Sequence, residues 1–298
     1  MRIRIHHGAH EVGGNCVEIE AADGSRIALD LGRPLSAALS DVVPAPTFAG
    51  PLLGVLITHP HLDHYGLVGD LDPAPPVFIG QEAARILDAA ALFSPMTRPL
   101  SPAGFLRDRE LFTIGPFTVT PYLVDHSAFD SYSLLVEADG KRLFYTGDFR
   151  GHGRKARLFE DLLAEPPRPI DVLITEGTQV GGVDHGARTE TALEAELAEL
   201  CRATPGLVHV IGSAQNLDRL VTAFRAARSS GRTFVTDLYS AAVAACTRST
   251  IPQPGFTGYR VYVPQRQRVL VKTSGEFERI APIRDVRIFA EELAATPP

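Results

Sequence analysis

Apolar and polar residues alternate through the opening MRIRIHHGAH, in the rhythm of a strand. The same rhythm returns in NCVEIEA and SRIALDLG, which flank the turn signal ADGS and read as a hairpin. LLGVLITH is a continuous apolar run instead, the pattern of a strand covered on both faces. FTVTPYLVDH, SYSLLVEA and KRLFYTGD follow as strands, the last two joined by a DG turn, and IDVLITEG is the next. GQEAARILDAAALF breaks the rhythm and predicts a helix. TALEAELAELCRA predicts another, opened by Thr191 and Glu194 at capping-box spacing, with Leu193, Leu197, Leu200 and Cys201 on one face. In QNLDRLVTAFRAARSSG, Leu217, Leu220, Val221 and Phe224 share a face and Gly231 marks the stop. The apolar GLVHVIGSA lies between these two helices and RTFVTDLY after them, so the chain from about residue 190 reads as α/β with a parallel sheet. Glycine and polar residues dominate GTQVGGVDHGARTE, which places a boundary between a domain of residues 1–185 and one of residues 186–298.

The ends of the strands carry the chemistry. Asp30 closes RIALD, His59 closes VLITH, His126 closes YLVDH, Asp148 closes LFYTGD and Glu176 closes VLITE. Strands of one layer bring such ends to a shared edge, where loops build sites on a rigid scaffold. In VLITHPHLDHYG, His59, His61, Asp63 and His64 crowd into six positions directly after the buried run. Neutral imidazoles suit borderline divalent metals, and a carboxylate can bridge two of them. The spacing lets His59 and His61 reach one metal and Asp63 and His64 a second. His126 completes the first site and Asp148 is the natural bridge. Two ions about 3.5–4 Å apart can stabilise the oxygens of a displaced ester. Asp30 and Glu176 either support these ligands or cap turns. His6, His7 and His10 more readily shape a loop beside the site, whereas His152, His185 and His209 read as solvated or locally bonded.

Composition narrows the classes. With 298 residues, 45% hydrophobic and 21% charged, the chain can bury a core and is not a disordered segment. A net charge of −6 excludes a uniformly basic coat, leaving only local basic stretches. Arg150, Arg154, Lys155 and Arg157 form one, in DFRGHGRKAR just after Asp148, where they could steer a phosphate backbone or simply sit in solvent. Arg260, Arg266, Arg268 and Lys272 form a second, more diffuse one. Cys16, Cys201 and Cys246 are too scattered for a disulfide framework and read as core residues. The N-terminus lacks the apolar core of a signal peptide and no run approaches a membrane span, so a cytoplasmic location is expected.

THPHLDHYG resembles the signature of the metallo-β-lactamase fold, an αββα sandwich binding one or two zinc ions. GAHEVGGNCVEIE, LDLG, VDHSAFDSYSLLVEADGKRLFYTGDFRGHG and TEGT are similar to its β-CASP branch, which includes ribonuclease J and the cleavage-and-polyadenylation endonucleases. The resemblance implies a first zinc on His59, His61, His126 and Asp148, and a second on Asp63, His64 and the shared Asp148. Asp30 matches an aspartate that supports the ligands without touching metal. Glu176 matches the acidic residue opening the β-CASP insertion and joins Asp63 and Asp148 as a catalytic candidate. SAQNLDRLVTAFRAARSSGRTFVTD looks like the early part of that inserted domain.

The family's later histidines have no counterpart here. No histidine follows His209, and Glu276 stands after the Thr-Ser-Gly of VKTSGEF. The expectation is therefore a chain truncated inside the insertion, with one firm zinc, a second short of a ligand, and a tendency to self-associate. The leading functional expectation is a zinc-dependent phosphodiesterase acting on RNA. In it a metal-bound hydroxide attacks phosphorus in line, oriented by Asp63 and Asp148. A hydrolase of a small ester, thioester or lactone and an inactive zinc-binding chain are the alternatives.

Overall fold

The alternating segments become paired strands where each has a neighbour to bond. In the computed structural model, which describes residues 1–38, 40–182 and 186–295, β1 (Arg2–His7) pairs with β2 (Cys16–Glu20) and β2 with β3 (Arg26–Leu29), all antiparallel. The direction then changes. Strands β4 (Gly54–Leu56), β5 (Val77–Gly80) and β6 (Pro102–Leu106) add in parallel, giving a six-stranded sheet in sequence order. A short helix, α1 (Leu62–Tyr65), follows β4, and α2 (Gln81–Ala91) follows β5. The strands β7 (Phe112–Ile114), β8 (Phe117–Leu123), β9 (Tyr132–Ala138) and β10 (Lys141–Tyr145) form an antiparallel meander. Helix α3 (Ala156–Ala164) comes next, and β11 (Val172–Ile174) extends the meander by parallel pairing with β10.

The two sheets face each other across one core. Ile19, Ile27, Leu29 and Leu56 of the first sheet pack with Phe117, Val119, Leu134, Val136 and Leu143 of the second. On its other face the first sheet gives Ala28, Val55, Ile57 and Ile79 to a second cluster with Ala83 and Leu87 of α2. Alternate residues of β4 and β5 thus enter different cores, as period-two geometry requires of a strand covered on both faces. Helix α3 sets Leu158 and Leu162 beside Tyr122 and Leu123 of β8. The layer order is helix, sheet, sheet, helix.

Chain contacts divide the protein into two units: Met1–Asp88, Met96–Gly151 and Lys155–His185 form the first, and Ala89–Pro95, His152–Arg154 and Gly186–Pro298 the second. In the second, β12 (Phe234–Asp237), β13 (Tyr259–Tyr262) and β14 (Arg287–Ile288) pair in parallel. This unit holds the helices α4 (Glu190–Ala203), α5 (Leu217–Ser229), α6 (Leu238–Ala245), α7 (Gln265–Ser274) and α8 (Ala290–Ala295), with a 3-10 helix at Phe277–Val286.

Two sequence expectations are corrected here. GLVHVIGSA is not a strand: residues 207–211 have no ladder partner among the described residues, and Leu207, Val210 and Ile211 are 55%, 47% and 96% exposed. Helix α4 starts earlier than its capping-box spacing implies. Thr189, not Thr191, is the cap, accepting from Ala192 N at 3.1 Å, while Glu194 is held by Arg154 at 2.6 Å. Of the four residues expected on its buried face only Cys201 is buried, and Leu200 is 54% exposed. In α5, Leu217, Leu220, Val221 and Phe224 are all buried. His185 lies outside the described residues.

Candidate metal centre

A buried carboxylate organises the site. Asp30 follows β3 with φ of 56°, a left-handed conformation that aspartate tolerates better than most residues, and it is fully buried. Its oxygens accept from Thr58 N at 2.8 Å, from Thr58 Oγ1 at 3.0 and 3.1 Å, and from Tyr145 OH at 2.8 Å. His64 Nδ1 lies 2.7 Å from Asp30 Oδ2. One side chain therefore ties the end of β3, the exit of β4, helix α1 and the end of β10. The carbonyls of α1 are held as well: Leu31 N donates to His64 O, Arg33 N to Leu62 O and Asn15 N to Asp63 O. Gly32 permits this approach, because a Cβ there would land on the Asp63 carbonyl.

The donor atoms converge from three places in the chain: the stretch 59–64, His126 and Asp148. His59 Nε2 is 3.1 Å from His61 Nδ1, which is 3.3 Å from His126 Nε2. His64 Nε2 is 3.3 Å from Asp148 Oδ1 and 3.8 Å from Asp63 Oδ2, and His59 Nε2 is 3.9 Å from Asp148 Oδ2. Zinc with nitrogen and oxygen ligands at about 2.0–2.2 Å in a tetrahedron separates those ligands by roughly 3.4 Å. The observed spacings fall around that edge length. Two groups of three, His59–His61–His126 and His59–His64–Asp148, are each compact enough to hold one ion, so the donor set fits a metal centre.

The electrostatics agree. Burial pushes the imidazolium forms of His59 and His61 down, and neighbouring histidines add to it at His59. His126 falls to about 3, through burial and then His61, against the pull of Asp148. These rings are neutral, the form a metal requires. His64 goes the other way: burial opposes its charge, but Asp30 and Asp148 outweigh it and raise the ring to about 10. Burial works against the Asp148 carboxylate, yet His64 and its neighbours hold it below the usual range.

Glu176 Oε1 accepts from Phe149 N at 2.8 Å, directly after Asp148, and burial raises its carboxyl. Arg150 N donates to Asp125 O at 2.7 Å, and Arg150 Nε lies 3.6 Å from the buried Asp125 Oδ1. Arg154 belongs to the second unit, where it meets Glu194 at 2.6 Å, Thr222 Oγ1 at 2.7 Å and Asp218. Lys155 Nζ donates to His126 O at 3.0 Å. Arg150, Arg154 and Lys155 thus have protein partners, while the fourth cation of that stretch, Arg157, is exposed with its Nε 3.7 Å from Asp161 Oδ1. His6 bonds Glu18 at 2.8 Å, on the first sheet. Thr58, Tyr145, Asp125 and Asn15 were not singled out by sequence, Asn15 Nδ2 lying 3.1 Å from His64 Nε2.

A family model for the beta-lactamase superfamily domain matches residues 33–209, more than half of the chain, and the chain belongs to that family. The fold is that of the metallo-β-lactamase superfamily of hydrolases. Ribonuclease J of Sinorhizobium meliloti (strain Sm2011 / Rm2011 / 2011) is 26% identical over 192 residues, covering 61% of this chain and 33% of that protein. The chain thus spans about a third of the length of that curated relative. A crystal structure of a protein of unknown function from Enterococcus faecalis V583 matches 99% of this chain and 75% of its own, with a TM-score of 0.77 at 20% identity. That likeness is one of fold. Among the described residues no helix is long and apolar enough to cross a membrane.

Proposed function

We propose that the protein is a zinc-dependent phosphodiesterase of the β-CASP branch that cleaves RNA. The observation that carries the reading is the convergence of His59, His61, His126, His64 and Asp148 into two adjoining donor sets that share His59. The stretch similar to ribonuclease J supports RNA as the substrate class. The same reading makes the residues after 185 part of a β-CASP-like domain.

His59, His61 and His126 would hold one zinc, with Asp148 beside them, and His64, Asp63 and Asp148 a second. The ions supply Lewis acidity toward a phosphodiester and its leaving oxygen. The protein's own groups do the rest. Asp63, whose Oδ2 lies 3.8 Å from His64 Nε2, would accept the proton of the attacking water at that oxygen. Asp30 fixes the orientation of His64 through Nδ1. Glu176 anchors the backbone that follows Asp148 and so sets the carboxylate's position rather than touching substrate. Lys155 holds the backbone of His126 in the same way.

The test is hydrolysis by the zinc-loaded chain of bis(p-nitrophenyl) phosphate and end-labelled single-stranded RNA, beside p-nitrophenyl acetate and a simple lactone. Phosphodiester cleavage abolished in Asp63→Ala is the expected result. Cleavage confined to the ester or lactone would replace the substrate class, and no turnover of any probe would make the chain a metal-binding one only.

A further inference from the structure

We infer that Asn15 is a further member of the metal centre, and that its side-chain amide supplies a donor to the half formed by His64, Asp63 and Asp148. The inference rests on the metal-centre reading above and extends it to a residue that neither motif nor spacing singles out.

Three side chains from three parts of the chain surround one ring nitrogen. Around His64 Nε2 lie Asn15 Nδ2 at 3.1 Å, Asp148 Oδ1 at 3.3 Å and Asp63 Oδ2 at 3.8 Å. The other ring nitrogen is committed to Asp30, so Nε2 is the atom His64 offers to the site. Asn15 therefore stands where a ligand of the same ion would stand, within the spacing expected of neighbouring tetrahedral ligands at roughly 3.4 Å. A half-turn of the amide exchanges Nδ2 for Oδ1 and presents a neutral oxygen, a donor accepted by divalent cations.

The loop is built to keep the side chain there. Asn15 N donates to Asp63 O at 3.0 Å and Asn15 O accepts from Gly32 N at 2.9 Å, so its backbone is fixed between α1 and the segment after β3. Gly13 precedes it at φ +78°, where a Cβ would come within 2.8 Å of Asp63 Cβ. Left-handed backbone at such close range is open only to glycine. The loop thus folds flat against the helix that carries Asp63 and His64, with the Asn15 amide directed at the metal-facing nitrogen. A neutral amide oxygen is a weaker donor than a third imidazole, and this half should fill after the three-histidine half.

The experiment is a titration of the metal-free full chain with cobalt(II), followed by visible absorption and calorimetry, for wild type, Asn15→Ala and Asn15→Asp. Wild type should bind in two steps. Asn15→Ala should keep the first step unchanged, which also reports that it is folded, and weaken the second by ~10-fold or more. Asn15→Asp should restore it by returning an oxygen donor with added charge. A second step of wild-type strength in Asn15→Ala, or an Asn15→Asp variant no better than it, overturns the assignment while leaving the metal centre standing. A wild-type chain that binds no cobalt at either half overturns both.

Discussion

Asp30 Oδ2 lies 2.7 Å from His64 Nδ1, and both side chains are fully buried. Neither residue can exchange its partner for water, so each fixes the other's orientation. Replacing the carboxylate by an amide removes its charge and one of the two acceptor oxygens that His64, Thr58 and Tyr145 use. Asp30→Asn should weaken metal binding at the His64 half by ~10–100-fold, with a smaller effect on the three-histidine half. Competition against a chelator of known affinity measures both.

The opposite shifts of His64 and His126 set the pH response of the metal-free protein. His64 is raised from 6.5 to about 10, so the stability it contributes is present below pH 6.5 and is lost as pH rises toward 10. His126 is lowered from 6.5 to about 3, so its contribution is present above 6.5 and is lost as pH falls toward 3. Thermal unfolding in excess chelator should therefore show a maximum near the point where the two windows meet. His64→Gln should remove the alkaline limb alone. Zinc should flatten the alkaline limb, because metal binding displaces the His64 proton, and leave the acid limb in place, because His126 carries no proton there to displace.

Arg154 shows how a motif and its structural use can part. Its guanidinium and backbone engage Glu194, Thr222 and Asp218 within the second unit, with only 14% of the side chain exposed. Glu194 is partly exposed and keeps the more distant Arg225, while Thr222 loses a donor, so Arg154→Ala should cost about 1–3 kcal/mol of stability by denaturant unfolding. On the RNA reading proposed above, the salt dependence of RNA binding should stay unchanged in this variant, whereas a direct phosphate contact would reduce its slope by about one.

The candidate metal-binding residues were legible because their signal is local. His59, His61, Asp63 and His64 sit within six positions after a continuous apolar strand, and ordinary surface or core has little use for that crowding. His126 and Asp148 were legible because each ends a strand. Asn15, Thr58 and Tyr145 were not, since their meaning arises from contacts up to 115 positions away. Strand β6 hid behind Pro102 and Gly104, which an edge position tolerates because it needs fewer ladder bonds. GLVHVIGSA misled for the converse reason: apolar residues favour a strand, but hydrogen-bond partners make one, and residues 207–211 have none among the described strands. At α4 the spacing Thr191–Glu194 matched a capping box, yet Glu194 is spent on Arg154 and Thr189 caps instead.

Glu176 separates a positioning role from a catalytic one. It accepts from Phe149 N and does not lie among the converging donor atoms. Glu176→Gln keeps an acceptor for that N–H, so it should retain most phosphodiesterase activity and both metal affinities. Glu176→Ala should lower metal affinity at the Asp148 half together with kcat. Equal loss in both variants would instead give the carboxylate a proton-transfer role.

The central prediction is that metal ions are held at the convergence of these side chains. Anomalous diffraction at the zinc edge, on crystals of the zinc-loaded chain, tests that most directly. The expected result is a peak about 2.0–2.2 Å from His59 Nε2, His61 Nδ1 and His126 Nε2, with a second, weaker peak beside His64 Nε2 and Asp148. A map with zinc elsewhere, or with none bonded to the three histidines, would contradict it.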